Sequence, residues 1–265
     1  MLKESTKSRW KKGIFWFVFV SLVLSIIYAA VMLSVAPDDS ANTEYRQKSD
    51  YVLMLLQCAA GAVIMFLPMM LERKLKFEIP DSMEILFFVF LYGAIYLGEV
   101  RSFYYRFENW DTILHTFSGG MLGTLGFSVV NRLNRSKNVK INLSPLFVSL
   151  FAFCFAVAVG VLWEIYEFTF DGILGLNMQK FRLESGEMLI GREALTDTME
   201  DLIVDALGAL VMSVVGFFAI RRNRRNDENS SPVLQGDRAN TTETKSEEIK
   251  EPTQKSADMP GQNKG

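Results

Sequence analysis

The stretch PLFVSLFAFCFAVAVGVLWEIYEFTFD, residues 145–171, decides how this chain is to be read. From Pro145 to Trp163 it carries no charge, and then Glu164, Glu167 and Asp171 follow in quick succession. A helix rises ~1.5 Å per residue and must cross ~30 Å of hydrocarbon, so a membrane span needs about 20 apolar residues. The uncharged part approaches that length. It also lacks the polar stripe at the helical period that a soluble core helix would show. It reads as a transmembrane helix with an acidic end.

Five further apolar runs flank it, at 13–36, 51–71, 83–99, 112–130 and 202–220. The run at 83–99 is the shortest and is bracketed by Glu84 and Glu99. The fold class this predicts is all-α: a polytopic membrane helix bundle of about six transmembrane helices. The first run resembles a secretory signal, with Lys11 and Lys12 before it and Ser34-Val35-Ala36 at its end. It is too long for an h-region of ~7–15 residues, and Pro37 would follow the cut, so it reads as a retained anchor. Cys58 and Cys154 fall mid-span, where a thiol behaves as a small apolar group rather than half of a disulfide.

Charge sets the expected orientation. Lys and Arg in short loops resist translocation. The N-terminal segment, the second loop, the fourth loop and the segment after the last span together hold 16 of them, and the alternate loops hold 7. The alternation is regular only if the short third run is also a span. It predicts both termini in the cytoplasm of a bacterial cell, with the protein in the cytoplasmic membrane. Trp110, Trp163, Tyr104, Tyr105 and Tyr166 then fall at the outer boundary and Trp10 and Trp16 at the inner one, as interfacial anchors do. The expected organisation is a basic cytoplasmic segment at 1–12, a six-helix transmembrane domain at 13–220 and a polar cytoplasmic tail at 221–265. The tail composition is too poor in large apolar residues to offset its ordering entropy, so it is expected to be disordered. A net charge of −2 implies no strongly charged partner. Nucleotide-binding loops and nucleic-acid motifs are absent. The partners implied are membrane lipids, with a small-molecule or lipid substrate.

Polar residues concentrate at the outer ends of the last three spans. The fourth begins Asn109-Trp110-Asp111-Thr112-Ile113-Leu114-His115, the fifth ends with Glu164, Glu167 and Asp171, and the sixth begins at Thr196 with Asp197, Glu200, Asp201 and Asp205 following. At 100° per residue Asp111 and His115 share a face. So do Glu164, Glu167 and Asp171, and so do Asp197, Asp201 and Asp205. Ionised groups avoid lipid, so these faces are expected to turn toward one another. Gly119, Gly123 and Gly208 would let the helices approach closely below them.

Two kinds of reading compete for these residues. Structurally, Asp111 and Asp197 stand where helix N-caps stand, Thr198 with Asp201 resembles a capping pair, Glu200 suits the helix dipole, and Asp171 reads as solvated loop. Functionally, His115, the only histidine, and Asp111 form a catalytic acid–base pair. Glu164, Glu167, Asp201 and Asp205 join His115 as ligands of a divalent metal, the one cofactor the sequence raises. Glu99 ends the third span on the same side. The segment 172–196 is long for a connection and is expected to lie on the surface as a lid.

Trp110-Asp111-x-x-x-His115-x-x-x-Gly119, Trp163-Glu164-x-x-Glu167-Phe168 and Asp197-Thr198-x-x-Asp201-Leu202 with Gly208-Ala209 together resemble the YjdF-like family of uncharacterised bacterial multi-pass membrane proteins. The resemblance covers roughly residues 55–220 and implies membership and membrane location, not a reaction. Three functions follow as expectations: a metal-dependent enzyme acting on a lipid headgroup or similar polar substrate, a proton, ion or small-solute transporter, or a non-enzymatic accessory protein. Side chains converging within ~3 Å of a common point would favour a metal or proton site.

Overall fold

The structure, a computed structural model, describes residues 2–36, 46–75, 79–134, 143–183 and 185–230. Among the described residues every regular element is helical, apart from an isolated antiparallel bridge between Arg182 and Met188. Six helical stretches are long and apolar enough to cross a membrane: Arg9–Val35, Lys48–Lys74, Asp81–Val100, Trp110–Val130, Pro145–Leu174 and Arg192–Asn226.

The first span lies within α1 (Leu2–Val35). The second is α2 (Lys48–Ile64) followed by α3 (Leu67–Leu75), broken at Met65 and Phe66. Pro68 has no N–H to donate back to Ile64, which accounts for the break. The third span is α4 (Asp81–Leu91) running into a π-helix, Tyr92–Val100. That wide turn was not legible in the sequence. Its end is held from outside, where the Arg46 guanidinium donates to the Glu99 carbonyl at 2.9 Å and to the Ser102 hydroxyl. A single turn, α5 (Phe103–Arg106), leads to α6 (Trp110–Asn134). The Trp110 indole N–H donates to the Gly93 carbonyl at 3.2 Å, fixing α6 to the π-helix. α7 (Pro145–Leu174) opens with Ser144 accepting from the Phe147 N–H and Pro145 in the first turn, and closes on Gly175 at φ 64°. These are the expected start and stop chemistries. α8 runs from Arg192 to Ser230.

Burial is inverted relative to a water-soluble protein. Leu24, Ile27, Val31, Leu150, Leu162, Ile203, Leu207 and Val211 are exposed, whereas Glu99, His115, Glu164, Glu167, Asp171, Asp201 and Asp205 are buried. Apolar side chains turned outward over several helices are what lipid as a solvent requires. Charged ones turned inward are what it forces. The chain is a multi-pass membrane protein.

Two packing styles coexist. Val18, Leu22, Met54, Cys58, Phe88 and Leu91 make an apolar core among α1, α2 and α4. α6, α7 and α8 instead approach through small residues. A methyl group at Gly119 would clash with the Asp205 carbonyl, and one at Gly208 with the Thr116 carbonyl.

Several expectations are corrected. α7 continues to Leu174, three residues past Asp171, and α8 starts at Arg192, four before Thr196. Asp197 therefore lies inside α8 and Asp111 inside the first turn of α6, so neither is an N-cap, and the Thr198–Asp201 capping pair does not form. The basic segment is helical from Leu2, and the first ten residues of the expected tail belong to α8. The tail from residue 231 lies outside the described residues. Residues Met1–Phe217 form one compact unit and Phe218–Gly265 a second, whose described part is the end of α8.

Candidate functional site

His115 is the hub of the site. Its Nε2 lies 3.7 Å from Asp111 Oδ1, one turn before it on α6, and 3.7 Å from Asp201 Oδ2 on α8. One ligand atom from each of the three residues falls within 4.8 Å of the others. Around an ion with ~2.1 Å bonds, neighbouring ligands of a tetrahedron stand about 3.4 Å apart, so the spacing suits a metal after slight contraction. On the other side of the ring, His115 Nδ1 is 3.2 Å from Asp205 Oδ2. The Ser118 hydroxyl donates to Asp205 Oδ1 at 2.7 Å, fixing that carboxylate in turn. A carboxylate on the remote nitrogen of an imidazole sets its tautomer and ring plane, as it does for metal-binding histidines.

α7 supplies the third wall. Glu164 is 5 % exposed, and neither of its carboxylate oxygens has a hydrogen-bond partner among the described residues. It is within electrostatic reach of His115, Asp111 and Asp205, with the Thr198 hydroxyl nearby. Thr198 instead accepts from the Gln179 side-chain amide at 2.8 Å. Gly160, one turn before Glu164, leaves room for the Asp205 carboxylate. Glu167 is buried, within electrostatic reach of Lys180, Glu164, Asp111 and His115.

The six residues singled out from sequence thus share one chamber, in unequal positions. Asp111, His115 and Asp201 converge on a common point. Asp205 lies behind the imidazole. Glu164 is without a hydrogen-bond partner among the described residues, and Glu167 is within electrostatic reach of Lys180. Asp197 is half-buried at the chamber edge, Glu200 is exposed, and Glu99 is buried at the end of the π-helix.

The segment after α7 was expected on the surface, but part of it is folded into the chamber. Leu176 and Met178 are buried against Leu53, with Val52, Tyr166 and Phe170 around them. Asp171, expected to be solvated, is buried, and its carboxylate accepts from the backbone N–H of Met178 at 2.8 Å and of Gln179 at 3.0 Å. Asn177 closes the turn through both the N–H and the carbonyl of Arg182, and Arg182 reaches Asp50 of α2 at 3.5 Å. These contacts deliver Lys180. Its ammonium lies 3.9 Å from Asp111 Oδ2 and 4.3 Å from the centre of the Tyr104 ring, and donates to the Met178 carbonyl at 3.0 Å. Burial opposes its charge, but Asp111 and its neighbours Tyr104, Glu167 and Asp197 outweigh burial and hold its pKa well above the usual lysine value. Burial likewise pushes the Tyr104 phenol well above its ordinary range.

Sequence reading misses Ser118, takes Tyr104 for an interfacial anchor and Asp171 for solvated loop, and gives Lys180 only as one of the loop cations that meet an anionic headgroup or balance nearby acids. Asp171 left a trace. A carboxylate at a helix C-terminus opposes the dipole and so calls for donors of its own.

A family described as "Predicted membrane protein (DUF2238)" matches residues 14–222. An uncharacterized protein of Thermotoga maritima is 33 % identical over 153 residues, covering 57 % of this chain and 69 % of that protein. No solved structure matches. The match spans the six apolar runs but for Gly13, together with every residue of the chamber, and the chain belongs to this family of predicted membrane proteins, DUF2238.

Proposed function

We propose that the chain is a membrane-embedded, divalent-metal-dependent enzyme acting on a lipid headgroup or a similar polar substrate at the outer face of the cytoplasmic membrane, with both termini inside. The observation that carries this reading is Glu164. A buried carboxylate without a hydrogen-bond partner costs several kcal/mol unless a cation or proton arrives to satisfy it, and this one lies within electrostatic reach of the three residues already spaced as ligands. Asp111, His115 Nε2 and Asp201 hold the ion. Asp205 orients the imidazole. Glu164 stands as either a fourth ligand or the base that takes a proton from the nucleophile. Depth supports a headgroup substrate, since the chamber lies at the ends of three spans rather than mid-bilayer. The alternating loop charges support the orientation.

Transport is less well supported. Beside the polar groups α6 and α8 close on each other at Gly119 and Gly208, which leaves no gap for a solute between these two helices.

The test is metal content and lipid turnover of protein reconstituted in mixed-headgroup liposomes, for the wild type, His115→Ala and Glu164→Gln. The expected result is a bound divalent ion and a metal-dependent change in one lipid class. His115→Ala should lose both, and Glu164→Gln should lose turnover. Metal-free wild-type protein after Mn²⁺ or Zn²⁺ loading would overturn the reading.

A further inference from the structure

We propose that Lys180 is the built-in counter-ion of this site, which a divalent cation must displace, so that the segment 175–183 gates metal entry. The inference rests on the metal-site reading above and adds its regulation.

Asp111 is shared between the two positions. Its Oδ1 faces His115 Nε2, where the ion would sit, and its Oδ2 faces the Lys180 ammonium. Two cations on one carboxylate repel, and the Lys180 and Asp111 side chains are only 21 % and 22 % exposed, so water screens that repulsion only in part. The ammonium is also held in a way that permits release. Among the described residues its one hydrogen bond goes to a carbonyl of its own loop, Met178. The carboxylate stands at 3.9 Å, beyond hydrogen-bond distance, and the remaining contact is the face of Tyr104. Charge, rather than directional bonding, keeps it there.

Its position is nonetheless enforced. The backbone at Lys180 has φ 51°, a left-handed conformation that a lysine adopts at a steric cost. The turn is imposed on it from both sides, by Asp171 gripping the N–H groups of Met178 and Gln179 and by Asn177 gripping Arg182. A residue strained into place beside a ligand, on a loop anchored to α2, α7 and α8, is arranged as an occupant. A displaced Lys180 also has somewhere to go. Glu99, carried to the same end of the bundle by the π-helix, is already within electrostatic reach of this ammonium.

The experiment titrates the purified full chain in detergent with Mn²⁺, reading free Mn²⁺ by electron paramagnetic resonance. It compares the wild type with Lys180→Gly, Lys180→Asn and Lys180→Arg. Gly and Asn both tolerate a positive φ, so they remove the charge without adding strain. The expected result is Mn²⁺ affinity at least about tenfold tighter in Lys180→Gly and Lys180→Asn, with Lys180→Arg close to wild type. Unchanged or weaker binding in the neutral variants, with the wild type binding, would overturn the gating inference and leave the metal site standing. Absence of Mn²⁺ binding in all four proteins would overturn both.

Discussion

The two halves of the bundle solve the same problem in different ways. α1, α2 and α4 meet through large side chains, with Leu22, Met54, Cys58 and Phe88 interleaved and stacked aromatic pairs such as Phe15 and Phe19 beside them. α6, α7 and α8 meet through Gly119, Gly160 and Gly208 and through a set of buried carboxylates around His115. Lipid tails are as apolar as leucine, so the first half is held by close packing rather than by the hydrophobic effect. The second half forgoes side-chain packing at the level of the chamber. Its backbones approach so closely that the polar groups above them are confined and oriented. The difference separates a supporting region from a chemical one, and substitutions can test where the line falls.

The largest effect is expected at the close approach. Gly208→Val would drive a side chain into the Thr116 carbonyl, which backbone cannot accommodate. We expect no correctly folded protein in detergent, read by size-exclusion profile; a well-folded variant would show that the small residues are not what sets the spacing. Next is the carboxylate behind the imidazole. Asp205→Asn should fold normally yet bind metal about 10–100-fold more weakly, the usual range for removing an orienting carboxylate. An unchanged titration curve would place Asp205 outside the working site. The matching substitution in the supporting half is Met54→Ala. It should lower stability by an amount near the bottom of the ~2–5 kcal/mol range for buried large-to-small changes, because lipid rather than water is the alternative environment. Thermal unfolding should report that loss while metal affinity stays the same, and a fall in affinity would dissolve the distinction between the halves. The smallest effect is expected at Glu200, which is exposed on α8 although it sits among the acidic residues in sequence. Glu200→Gln should alter neither stability nor metal binding measurably.

The sequence carried the solvent, the number of spans and the end of the bundle where chemistry gathers. Each depends on runs of one residue type, and composition reports such runs faithfully. The helical period also brought Asp111 and His115 onto one face, and Glu164 and Glu167 onto another. It could not rank them. Whether Asp205 is a ligand or stands behind the ring depends on which imidazole nitrogen it faces, and that follows from the crossing of α6 and α8 rather than from spacing along either. The ends of α7 and α8 lie three and four residues beyond Asp171 and Thr196, because an acidic run does not mark where a helix stops. The π-helix and the inserted loop were illegible for a related reason. Gly93, Gly98, Asp171 and Lys180 acquire their roles only from Trp110, Tyr104, Met178 and Asp111, which lie elsewhere in the chain.

The central claim is that Asp111, His115 and Asp201 hold one divalent ion. X-ray absorption spectroscopy of Zn²⁺-loaded protein addresses it directly. The account predicts a low-coordinate zinc with a single imidazole nitrogen at ~2.0–2.1 Å and carboxylate oxygens at ~2.0–2.2 Å, the imidazole signal vanishing in His115→Ala. Zinc bound without any imidazole in the wild type, or an unchanged spectrum in His115→Ala, would contradict it.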